Sequence, residues 1–144
     1  MKDQWTPVSS DERVFRRILN KLDYFNASLP RPVTSAAFRP TDHDTDGISV
    51  YRPACGAQAA AVADGPSPCG YYVVSLRVSA ILALDIEGLR PTVEPTPDNG
   101  PIPGHAAIPE LNVRLRDGNK RQYRLLATAL ATLVTNADIV HQPA

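Results

Sequence analysis

No apolar run in this chain is long enough to span a bilayer, and its opening residues, MKDQWTPVSSDER, hold no apolar stretch of signal-peptide length. A cytoplasmic location, away from membranes, is the expectation. Charge of one sign is missing too. Fifteen basic and fifteen acidic residues cancel, which removes the general electrostatic attraction for nucleic acid or an anionic surface. Two cysteines, Cys55 and Cys69, are too few for a secreted disulfide framework and read as buried or idle thiols. Aromatic residues are only 6% of the chain, yet 43% of it is hydrophobic and 21% charged, outside the composition of disordered segments. A chain of 144 residues can bury about 70% of the surface its unfolded form exposes. One domain over residues 1–144 is expected.

The motifs of common catalytic and metal sites are also absent. His43, His105 and His141 are far apart, the cysteines lack the close spacing of zinc ligands, and no HExxH occurs. GPIPG is stiffened by proline and has no following lysine, so it is no phosphate loop. There is no GxSxG elbow. No catalytic residue, metal ligand or cofactor is assigned on this basis.

What the chain does have is punctuation. SSDERVFRRILNKLDYF pairs Ser9 with Glu12 as a capping box, and Val14, Phe15, Ile18, Leu19, Leu22 and Phe25 recur at helical spacing, predicting an N-terminal helix. NASLPRPVTSAAFRP carries Pro30, Pro32 and Pro40 and reads as a connection in which Val33 and Phe38 anchor a surface crossing. GISVY and YYVVSLRV are β-branched and aromatic strands, the second placed centrally. A short alanine-rich helix is expected within CGAQAAAVADG, and a second through AILALDIE after Ser79. LRPTVEP suits an edge strand, and five prolines between Pro91 and Pro103 make residues 91–105 an extended surface loop. GHAAIPELNVRLRD reads as extended pieces, KRQYRLLATALATLV as a second long helix with Leu125, Leu126, Leu130 and Val134 on its stripe, and ADIVH as a terminal strand. The sum is an α+β fold with a small mixed or antiparallel sheet flanked by an N-terminal and a C-terminal helix.

TDHDTDGISVYRP comes nearest to a named functional motif. Asp42, Asp44, Asp46 and Gly47 match the first half of a calcium loop, but the twelfth position is Pro53, where a bidentate glutamate should stand. Aspartates and glycine bonding their own backbone into a turn that launches a strand is the simpler expectation.

DGISVYRP, PDNGPIPGHAAIPEL and the closing alanine-leucine helix together resemble small bacterial single-domain proteins with a DGxS turn, a proline-bearing loop and HAxI, a group without an assigned activity. That resemblance implies an accessory role in a bacterial defence or toxin-related system. Two classes of function follow. The first is a non-enzymatic domain that binds another protein through Pro101, Ile102, Pro103 and His105, where proline limits the freedom lost on docking. The second is a small enzyme acting on a nucleotide, with Arg52, Tyr72, His105 and Glu110 as its site; their order along the strands resembles ADP-ribosyltransferases, without the serine-threonine-serine motif of that family.

Overall fold

The computed structural model describes every residue from Met1 to Ala144. Its strands are β1 (Arg13–Leu19), β2 (Ile48–Tyr51), β3 (Tyr71–Arg77), β4 (Glu94–Pro95), β5 (His105–Ile108) and β6 (Ile139–His141). They form one six-stranded sheet in the order β4-β5-β2-β1-β3-β6, and every pairing is antiparallel. The helices are α1 (Ala59–Val62), α2 (Val78–Leu82), α3 (Val113–Gly118) and α4 (Lys120–Thr132), with a 3-10 turn at Ser35–Phe38. The architecture is α+β, and no helix is long and apolar enough to cross a membrane.

The expected N-terminal helix is instead the central strand β1, paired with β3 from Arg13 opposite Arg77 to Leu19 opposite Tyr71. A strand that carries apolar residues on both faces lacks the in-out alternation of a one-sided one, so those residues can mimic a helical stripe. Here Val14 and Ile18 enter the main core, while Phe15 packs against the smaller cluster on the other face. Leu22, assigned to the same stripe, is 74% exposed. Half of the capping box does form, since the Ser9 amide donates to the Glu12 carboxylate at 2.8 Å. The Ser9 hydroxyl, however, bonds Asp11, and Glu12 is drawn to Arg52, so the turn feeds a strand.

The main core lies on the sheet face that carries Val14, Ile18, Ile48, Val50, Val74, Leu76 and Ile108, closed over by Leu126, Leu130 and Val134 of α4 and the turn after it. Leu125 sits off this face and is 39% exposed. Val33 and Phe38 are not anchors of a surface crossing but members of this core, and the 3-10 turn that holds Phe38 packs on α4. Proline excludes regular helix from a segment without excluding it from the interior. The opposite face is covered by a smaller cluster of Ala57, Val62 and Val73, against which Tyr51 and Ile102 also pack.

Between Pro91 and Pro103 the chain supplies the edge strand β4, and just before it Pro91 and Val93 are buried. LNVRLRD, expected to be extended, folds as α3 because the Asn112 side chain caps it, accepting from the Leu115 amide at 2.9 Å. The stretch at Thr41 is a hydrogen-bonded turn in which the Asp44 carboxylate accepts from the Thr41 amide at 2.7 Å. Gly47 then launches β2 at φ +115°, where an added Cβ would lie 2.4 Å from the Ile108 carbonyl oxygen.

β1 and β2 are paired at one position only, Phe15 opposite Tyr51. Beyond it the strands part, and the Arg16 guanidinium fills the gap, donating to the Ser49 carbonyl at 2.8 Å and twice to the Ala37 carbonyl at 3.1 and 2.8 Å.

Candidate functional site

Each of Arg52, Tyr72, His105 and Glu110 is committed to a structural partner, and the four do not converge. Arg52, 0% exposed, makes a bidentate ion pair with Glu12, itself 6% exposed, through bonds of 3.0 and 2.9 Å. It also donates to the Thr6 carbonyl at 2.8 Å, fastening the N-terminal segment to the end of β2. Burial pushes the Glu12 carboxyl up, but hydrogen bonds from Arg52 and Ser9 and the charges of Arg52 and Lys2 outweigh it and leave the group below its ordinary value. Tyr72 stacks on Phe25 with ring centroids 3.7 Å apart. Glu110 accepts from both the amide and the hydroxyl of Thr92 at 2.7 Å.

His105 is 6% exposed. Its Nδ1 lies 2.7 Å from the Thr96 hydroxyl and its Nε2 2.9 Å from the Ser49 hydroxyl, with the Tyr51 ring edge-on at 5.2 Å. A residue expected on a contact surface is therefore an interior member of the sheet, because strand alternation turns it toward Ser49 and Tyr51. Burial lowers the His105 pKa, opposed by a hydrogen bond to the Thr96 backbone. The unfolded chain thus takes up this proton at a higher pH than the fold does. The contribution of His105 is intact above the unfolded value of about 6.5 and is lost as pH falls below it toward the lower folded value. Urea titrations between pH 7.5 and 5 are expected to show stability falling toward acid, with the slope reduced in His105→Gln; an unchanged slope would show that His105 is not its source.

Of the proline-flanked triplet, Pro101 and Pro103 are exposed, while Ile102 is half-buried against the cluster of Ala57, Val62 and Val73. Ile102 thus anchors the loop to its own domain.

The largest concavity lies elsewhere, where the Thr41 turn meets α3. A cavity of about 460 Å³ is lined by Tyr24, Ala36, Arg39, Pro40, Thr41, Asp42, Arg116 and Asp117. A second, of about 210 Å³, shares Arg39, Arg116 and Asp117 and continues along α4 past Lys120, Tyr123 and Arg124. The two form one groove with four cations and two carboxylates along its walls. Arg116 is fixed in the floor, bonded to Asp42 at 2.7 Å, to Asp117 at 3.0 Å and to the Pro40 carbonyl at 2.9 Å. The bonds that Arg116 donates, first to Asp117 and then to Asp42, raise its pKa further, and the bond from Arg116 lowers that of Asp117. Arg39, Lys120 and Arg124 belong to no ion pair. Asp42, read from sequence as a turn residue, is thus also the partner of Arg116, and no group of three or more His, Cys, Asp or Glu side chains is placed to hold a metal ion.

The groove was not visible in sequence, since Arg39 is far along the chain from NVRLRDGNKRQYR, and the two are joined by the packing of the 3-10 turn on α4 and by the bonds of Arg116 to Pro40 and Asp42. The one local signal is the density of basic residues in that stretch, with Tyr123 among them. Comparison of the chain with models of known protein families, with curated proteins and with solved structures finds no match.

Proposed function

We propose that this chain is a non-enzymatic interaction domain that receives an acidic segment of a protein partner along the groove between the Thr41 turn and α4. One observation carries this: Arg39, Lys120 and Arg124 line a continuous concavity with no carboxylate bound to any of them. Cations arranged in this way complement a row of carboxylates, steer its approach and fix its register. Tyr24 and Tyr123 add amphipathic contact area of the kind enriched at interfaces. Arg116, already neutralised by Asp42 and Asp117, acts as a rigid floor. The two acidic side chains in the walls and the neutral balance of the chain favour a peptide with a few spaced carboxylates over the denser charge of a nucleic acid.

The test is fluorescence anisotropy with a labelled glutamate-rich peptide, alongside an oligothymidine of equal length. The peptide is expected to bind more tightly than the oligonucleotide. Arg39→Ala combined with Arg124→Ala should weaken it by about tenfold, near 1.4 kcal/mol. Both side chains are exposed, so the melting temperature should hold. Tighter binding of the oligonucleotide, or full peptide affinity in the double variant, would overturn the proposal.

A further inference from the structure

We propose that the cleft where β1 and β2 part is a binding site for a single carboxylate, held by the guanidinium of Arg16 with Arg17 beside it. The cleft is a cavity of about 210 Å³ lined by Arg16, Arg17, Thr41, Asp44, Ser49 and Tyr51. Its position follows from the sheet: because β1 and β2 pair only at Phe15 and Tyr51, the Ser49 carbonyl that faces β1 is met by a side chain instead of an amide. Arg16 carries five N–H groups. Three of them donate to the carbonyls of Ala37 and Ser49, which neutralise nothing, and two remain.

Neither Arg16 nor Arg17 has a carboxylate within ion-pair distance. Arg16 is half-buried with its guanidinium over the Phe38 ring, and Arg17 lies over the Tyr71 ring at 4.7 Å. Holding a guanidinium away from water without a bound anion is unfavourable. The desolvation shows in the Arg16 pKa, lowered to about 10 by burial and only partly restored by the charge of Asp44. A carboxylate would accept from the free N–H groups in the bidentate manner that arginine favours. Of the hydroxyl-bearing residues that line the same space, Thr41 is held by Asp44 and Ser49 by His105, which leaves the phenolic hydroxyl of Tyr51 as a further donor.

The lining also indicates which anion belongs there. Two arginines and one aspartate leave a single positive charge. A carboxylate balances it, whereas a phosphate monoester brings a second negative charge toward Asp44. Asp44 itself is turned to the Thr41 amide and hydroxyl, at 2.7 and 3.1 Å, and so competes with the ligand through space only. The site is separate from the groove proposed above, with which it shares Thr41 alone.

The full chain, labelled with nitrogen-15, would be titrated with acetate at constant ionic strength, and the Arg16 Nε–Hε resonance followed. A saturable shift is expected. Asp44→Asn, whose side-chain oxygen can still accept from Thr41, should tighten acetate by about threefold to tenfold by removing a like charge. Arg17→Gln loses only a ring contact and one charge, and should weaken acetate by a similar factor while the spectrum elsewhere stays that of a folded protein. Absence of a saturable shift in both the natural chain and Asp44→Asn would overturn the site and leave Asp44 as the only counterion. Tighter binding of phosphate than of acetate would overturn the carboxylate assignment. A capped peptide with one glutamate among glycines separates the two sources of the group: binding at least tenfold tighter than acetate assigns a partner's side chain, and equal binding assigns a small free acid. Because Arg39, Lys120 and Arg124 line neither wall of this cleft, its failure would leave the groove proposal standing.

Discussion

Replacing Arg52 with alanine is expected to lower the stability of the fold by about 3–5 kcal/mol, the cost of leaving one member of a buried ion pair without its partner. Arg52 is fully buried and Glu12 nearly so, and the two meet through a bidentate contact of 3.0 and 2.9 Å. The guanidinium also gathers the carbonyls of Gln4 and Thr6, at 3.3 and 2.8 Å. Without it those acceptors, and a carboxylate whose remaining donors are the Ser9 amide and a Lys2 ammonium at 3.4 Å, would lose their bonds in the interior. Urea denaturation measures the loss. The combined exchange Glu12→Leu with Arg52→Met should cost less than the single Arg52→Ala, because it leaves no buried charge unpaired. If the single variant is as stable as the natural chain, the pair holds nothing together.

Leu130→Ala is expected to cost about 2–5 kcal/mol, through the lost transfer energy and the cavity left behind. Leu130 is 0% exposed and lies with Leu126 and Val134 in the cluster that covers Val14, Ile18 and Val74 of the central strands. Its neighbour in sequence, Ala129, is only half-buried, so the effect should depend sharply on the face of α4 that is changed. Equilibrium unfolding followed by circular dichroism gives the number. A loss below 0.5 kcal/mol, the range of ordinary surface substitutions, would mean that α4 does not close this core.

Local pattern was enough for much of the fold. YYVVSLRV, GISVY and GHAAI became β3, β2 and β5, and the stripe of KRQYRLLATALAT became α4, because each element has one periodicity that its surroundings do not contest. β1 was illegible for the opposite reason. Its residues satisfy both a helical stripe and a strand with apolar residues on both faces, and the choice is made by β3, which lies far along the chain. The Ser9–Glu12 pair points to a helix until Arg52 is brought to it by the fold. Phe38 and Val33 were hidden by the prolines around them, which say how the backbone runs and nothing about depth. The groove and the cleft both depend on tertiary placement: Arg39 beside α4, and Arg16 in a gap that exists only because two strands separate.

Burial of β1 at the centre of the sheet also fixes an order of events. Val14, Phe15 and Ile18 come early in the chain, yet the segments that flank them are made much later, as Ile48–Tyr51 and Tyr71–Arg77. Long loops must close before those contacts can reward the loss of chain freedom, which slows folding in topologies dominated by distant pairings. During synthesis the first apolar segment therefore waits, unpaired on both edges, until its neighbours arrive. In that interval its apolar residues are open to chaperones and to mispairing with another copy.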